Sequence, residues 1–173
     1  MIYKLKYLSF FSLFLITFLL FILGNYIYTI DTLLIIKILV SESCFVLLYT
    51  FIDKYNLKYG SYFTIVSILL LSVFYLPIFS FLFYSQSVQI FSVSISIVVN
   101  IIDSLLVRKL FNKGFKKIFS SQISTIIASM IEISIFAYLL DIGLDGATYT
   151  TLTRVFYIYC LPKIVLNKKF DFV

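Results

Sequence analysis

The 173-residue chain has no histidine and no tryptophan. Without histidine it lacks the usual proton-transfer group at neutral pH and the commonest metal ligand. It has two cysteines, Cys44 and Cys160, which lie in separate apolar segments. They show no metal-ligand spacing and imply no disulfide framework, so both read as free buried thiols. No glycine-rich phosphate loop is present, and no cysteine has a histidine to activate it. An enzyme is therefore not expected, nor is any cofactor or metal. Charge is scarce as well: 13% of residues are charged, against about 25% in ordinary soluble domains.

Apolar sequence fills the space. The chain is 62% hydrophobic, with 20 Phe and 14 Tyr, and its mean hydropathy is +1.08. Six runs are long enough to cross a bilayer, at about 7–30, 32–52, 61–84, 87–108, 121–140 and 147–166. The breaks between them are polar: Asp31; the stretch Asp53 to Gly60; Ser85-Gln86-Ser87; the basic loop Asn112 to Lys117; and the acidic loop Asp141 to Gly146. The expected fold class is an all-α integral membrane protein, with six transmembrane helices in one bundle and residues 1–173 forming a single domain. An uncleaved first span is expected rather than a signal peptide, because the apolar run is too long and no small-residue cleavage site follows it. Pro77 and Pro162 fall late in spans three and six and are expected to kink or break them.

The charges give an orientation. Lys4, Lys6, Lys54, Lys58, Arg108, Lys109, Lys113, Lys116, Lys117, Lys163, Lys168 and Lys169 all fall on one side of a six-span chain. The other side carries Asp31, Asp141 and Asp145 and no base. The positive-inside rule makes the basic side cytoplasmic, together with both termini. The net charge of +6 is explained by this topology, so no nucleic-acid partner is expected.

Five ionisable residues interrupt the spans: Lys37, Glu42, Asp103, Glu132 and Arg154. A charge at mid-membrane costs about 2.5–3.5 kcal/mol on insertion scales, so it faces a partner, a cavity or a ligand. Glu132 shares one helix stripe with Gln122, Thr125 and Ser129, and Asp103 shares another with Gln89, Ser92, Ser96 and Asn100. Two such stripes on adjacent helices imply a wet interior. Arg154 and Lys37 lie toward the outer side, Glu42 and Glu132 near mid-membrane, and Asp103 toward the cytoplasm. The competing reading is structural: Lys37 or Arg154 pairs with an acid, and the Ser and Asn side chains hold helices together.

Three motifs occur in order. Residues 52–60 read Ile-Asp-Lys-Tyr-Asn-Leu-Lys-Tyr-Gly; residues 100–106 read Asn-Ile-Ile-Asp-Ser-Leu-Leu; span five has Ser120-Ser121-Gln122-Ile123-Ser124-Thr125 and then Ile131-Glu132-Ile133-Ser134-Ile135-Phe136. These resemble the T-D-x-x-N-E-x-Y-G, Q-L-I-D, R-N-N-x-S-T and Q-x-I-D-T-x-x-F segments of the queuosine-precursor transporter family, also called the vitamin uptake transporter (VUT) family. The departures are Leu57 for an acid, Ser120 for arginine, Ser129 for glutamine, Glu132 for aspartate and Arg154 for lysine.

The resemblance implies inward transport of a 7-deazaguanine base or similar vitamin-like solute across the cell inner membrane. It also implies a fold like the substrate-binding subunits of energy-coupling-factor importers. Those subunits dock through alanine motifs in the first span, and this first span has no alanine, which favours a stand-alone carrier. In such a site Glu132 accepts from two N–H groups of a guanine-like edge. Asn100, Gln122 and Ser129 bond the other edges, with Asp103, Glu42 and Arg154 completing the expected solute-binding set; Tyr157 lies near Arg154. Proton coupling through Glu42, Asp103 or Glu132 and a homo-oligomeric state are compatible with this reading. A binding subunit that needs an energising partner, and a structural or assembly subunit, are the alternatives.

Overall fold

The computed structural model describes residues 12, 15–24, 26–27, 33–82, 86–140 and 144–167, the side chains of 74–93 and 139–146 excepted. Among the described residues every regular element is helical and there is no strand. The helices are α1 (Leu15–Gly24), α2 (Leu34–Tyr59), α3 (Ser61–Leu82), α4 (Gln86–Asn112), α5 (Lys117–Leu140) and α6 (Leu144–Val165). Of these, Leu34–Tyr59 and Lys117–Tyr138 are long and apolar enough to cross a membrane. Both α3 and α6 continue as helices past Pro77 and Pro162.

One expected boundary is corrected. The polar stretch Asp53 to Gly60 reads as a loop, but α2 runs through it to Tyr59 and turns at Gly60 alone. The helix persists because Asp53 and Asn56 follow Tyr49 on its inward face, where both are buried. Gly60 takes φ 95° and ψ 159°, a region essentially closed to side chains. Its N–H donates to Asn56 O at 2.8 Å. The basic loop is where it is expected: Gly114 has φ 90°, and Phe115 N bonds back to Leu110 O at 3.3 Å. Lys4, Lys6, Asp31, Ser85, Asp141, Lys168 and Lys169 lie outside the described residues.

Helix α2 is central, packing on α3, α4, α5 and α6. Two apolar clusters fill the interior. Phe21 of α1 meets Leu48 and Ile52 of α2 and Ile68 and Leu71 of α3. Tyr49 of α2 meets Ile95 and Val99 of α4 and Ala128 of α5. Gly24 lets α1 approach α2 closely, since a Cβ there would stand 3.4 Å from Cys44 Cβ.

The facing sides of α4 and α5 are made largely of small residues. Ser120, Ser121, Ser124, Thr125, Ala128 and Ser129 line the buried face of α5, and Ser96, Asn100 and Ser104 lie on that of α4. Small residues let backbones come close, the packing mode typical of helices in lipid. The outer faces are apolar: on α6, Leu152, Val155, Phe156 and Tyr159 point outward while Arg154 and Ile158 point in. Among the described residues, buried polar and charged side chains outnumber buried apolar ones.

Candidate functional site

Arg154 is the hub of the interior. Its Nε donates to Glu42 of α2 and its Nη1 to Glu132 of α5, so one guanidinium ties three helices. All three residues are buried, with Arg154 at 4% exposure. Phe45 of α2 presents its ring to the guanidinium at 5.8 Å. Tyr49, also on α2, turns its hydroxyl toward Glu132. Ser96 of α4 donates to Glu132 Oε1 at 3.2 Å, which brings a fourth helix into the network. Two carboxylates against one guanidinium leave a formal excess of negative charge in the middle of the bundle.

The network backs onto a narrow, mostly apolar pocket between α1, α2, α3 and α4. Phe21, Leu48, Ile52 and Leu71 form its apolar walls, and Thr17, Ser96 and Asn100 its polar ones. The Asn100 amide nitrogen donates to Ser96 O at 2.6 Å, while its carbonyl oxygen is buried without a partner. Ser129 Oγ is buried and unpartnered as well.

The expected site residues thus divide into groups. Glu42, Glu132 and Arg154 come together, and Ser96 links them to Asn100 at the pocket. Asp103 lies elsewhere, against Asp53 of α2 and the first turns of α5. Gln122, expected to face a solute, turns to α6 instead: its amide donates to Ile158 O at 3.3 Å and Tyr159 O at 3.1 Å. Lys37 is half-buried near the start of α2 and Tyr157 half-buried on α6. The side chains of Gln89 and Ser92 lie outside the described set.

Two residues of structural weight escaped the stripe analysis. Asp53 is fully buried and accepts from Ser121 Oγ at 2.5 Å. Asn56 is fully buried and joins three helices: its amide donates to Ser104 O on α4, and its carbonyl oxygen accepts from Ser61 on α3 at 3.2 Å. Arg108 of α4 reaches across to Asn56 O at 3.4 Å and Leu57 O at 3.2 Å, capping the end of α2. The available signal was the continued helical spacing Glu42, Tyr49, Asp53, Asn56. The motif that carries the family resemblance also contains both residues.

These cross-links fix the helix register. Ser121 lies level with Asp53, and Glu132 level with Ser96 and Glu42. The chain therefore holds two polar centres, with Asn100 and Ser129 buried between them in sequence on α4 and α5. Thr125 and Glu132 are seven residues apart on α5, so the centres stand about 10 Å apart at the usual helical rise.

No known protein family, curated protein or solved structure matches the chain.

Proposed function

We propose that this protein is a multi-pass membrane carrier for a small polar solute, and that the solute contacts Asn100, Ser96 and the Glu132–Arg154–Glu42 network. The observation that carries the reading is that network: three ionisable side chains held inside a helix bundle whose outer surface is apolar. A charge buried among helices of this kind is retained at a cost, and substrate or ion pathways are where such charges are found. The wide apolar exposure on α3, α5 and α6 supports a lipid surround. The basic residues Lys58, Lys109, Lys113, Lys116 and Lys163, all exposed, then form the cytoplasmic rim.

The solute class we assign is a 7-deazaguanine-type base, on the resemblance of residues 52–60, 100–106 and 120–136 to the queuosine-precursor transporters. The pocket, about 30 Å³ as it stands, would have to open for a planar base to enter with its polar edge toward Asn100 and Ser96. Displacing Arg154 from Glu132 would free that carboxylate for adjacent N–H donors.

The test is uptake of queuosine precursors in a bacterium that can neither make nor import them, read as queuosine in its tRNA. Wild-type chain restores the modification; Glu132→Gln and Asn100→Ala reduce it. No restoration by a chain that is stably inserted in the membrane overturns the solute assignment.

A second reading has support from the same triad. Arg154 is already paired on both sides within the chain, as a purely structural or assembly subunit would require. On that reading Glu132→Gln alters stability and no solute responds.

A further inference from the structure

The carboxyls of Asp53 on α2 and Asp103 on α4 lie against each other, and the first turns of α5 close over them. Both residues are fully buried. Two adjacent carboxylates out of water repel strongly, and either a shared proton or a bound cation relieves the repulsion. Neither forms an ion pair with a lysine or arginine; the two ion pairs found among the described residues both belong to Arg154. The groups around the carboxyls are hydroxyls. Ser121 bonds Asp53 Oδ2 at 2.5 Å, Thr125 faces Asp53 and Ser124 faces Asp103. Asp53 Oδ1, both Asp103 oxygens and Thr125 Oγ1 are buried with no hydrogen-bond partner.

We propose that Asp53 and Asp103, with the hydroxyls of Thr125, Ser124 and Ser121, form a sodium-ion site between α2, α4 and α5. The donor set is oxygen only, which suits a hard cation and rejects the metals that want nitrogen or sulfur. One shared proton would join two carboxylate oxygens, and the Thr125 hydroxyl, which faces Asp53, would donate to a third. A sodium ion takes lone pairs from all of them at once. Magnesium gives up its water reluctantly; calcium, which takes about six to eight oxygens, is the competing ion that the experiment below separates from sodium.

The site goes beyond the proposed solute and does not depend on it, because binding is measured without uptake. The full chain is purified in detergent and its thermal unfolding followed in sodium chloride against choline chloride at constant ionic strength and pH. Binding of radioactive sodium by equilibrium dialysis gives the stoichiometry. Sodium is expected to raise the midpoint saturably, with one ion bound per chain. Asp103→Asn abolishes both signals. Thr125→Val, which keeps the side-chain shape, raises the half-saturating sodium concentration about 10- to 100-fold. If Asp103→Asn does not fold, Thr125→Val carries the test. The proposal is overturned by an equal response to choline, by a sodium response unchanged in Thr125→Val, or by a response to pH alone, which would mark a shared proton. Displacement of sodium by micromolar calcium would overturn it too.

Discussion

The side-chain amide of Gln122 on α5 stands in for the backbone donor that Pro162 removes from α6. Proline has no N–H, so the carbonyl four residues earlier, at Ile158, loses its helical partner. Gln122 Nε2 lies 3.3 Å from that oxygen and 3.1 Å from Tyr159 O. Ile158 itself is 1% exposed, so water cannot readily replace the bond. The α5–α6 contact is thus specified in part by a polar pair.

A double-mutant cycle tests this relationship. Gln122→Leu leaves a buried carbonyl unpaired and is expected to cost about 1–3 kcal/mol. In a Pro162→Ala background the backbone N–H returns, and the same substitution should cost far less. Chemical unfolding in detergent gives the four stabilities. Equal costs in both backgrounds would show that Gln122 acts through something other than the proline gap.

Arg154→Met strips both Glu42 and Glu132 of their partner. Removing one member of a buried ionic network typically costs about 3–5 kcal/mol. The triple variant Glu42→Gln, Glu132→Gln, Arg154→Met removes all three charges and should regain most of that loss. If the triple variant is stable but inactive in uptake, the network serves the solute; if single and triple variants are equally unstable, guanidinium packing against Phe45, 5.8 Å away, dominates.

The pattern of recovery from sequence follows from range. Isolated charges in apolar runs are conspicuous, so Glu42, Glu132 and Arg154 were all visible as interior groups. Pairing of Lys37 or Arg154 with an acid was the competing reading; which acids was not visible, because Arg154 and Glu42 lie 112 residues apart and only the bundle brings them together. Asp53 and Asn56 were concealed for a different reason: a polar cluster beside lysines has the composition of a loop. In the folded chain those residues find partners on α3, α4 and α5, so polarity does not end the helix. Gln122 sits on the expected stripe, but its long side chain reaches sideways to the free carbonyl on α6. The helix order was legible from the apolar runs, but α2, α4 and α5 extend into the polar stretches beside them.

Gly60 is expected to be the least replaceable glycine of those described. Its φ of 95° and ψ of 159° carry a strain of about 1–3 kcal/mol for any residue with a Cβ. Nothing lies within 4 Å of the position a Cβ would take, so the cost is conformational and not steric. Gly60→Ala and Gly60→Asn should therefore lose similar stability. Gly24→Ala, with its nearest contact at 3.4 Å, should lose less. Thermal unfolding of the three variants side by side gives the order, and a harmless Gly60→Ala would mean the α2–α3 turn relaxes readily.

The carrier reading also fixes a side for the α4–α5 loop. Lys113, Gly114, Phe115 and Lys116 connect the two helices and are exposed, and three further bases, Arg108, Lys109 and Lys117, flank them. A basic cluster of this size holds its loop on the cytoplasmic face. Replacing Cys44 and Cys160 by alanine and placing a single cysteine at Lys113 provides a reporter for a membrane-impermeant maleimide. Labelling is expected in inverted vesicles or broken cells and absent from intact ones. The same reporter at Tyr62, on the exposed first turn of α3 next to Gly60, should behave identically, because the carrier reading puts both turns on one face. Labelling of Lys113→Cys in intact cells would invert the topology. Labelling of both positions without any membrane fraction would remove the bilayer from the account altogether, and with it the reason for so apolar an exterior.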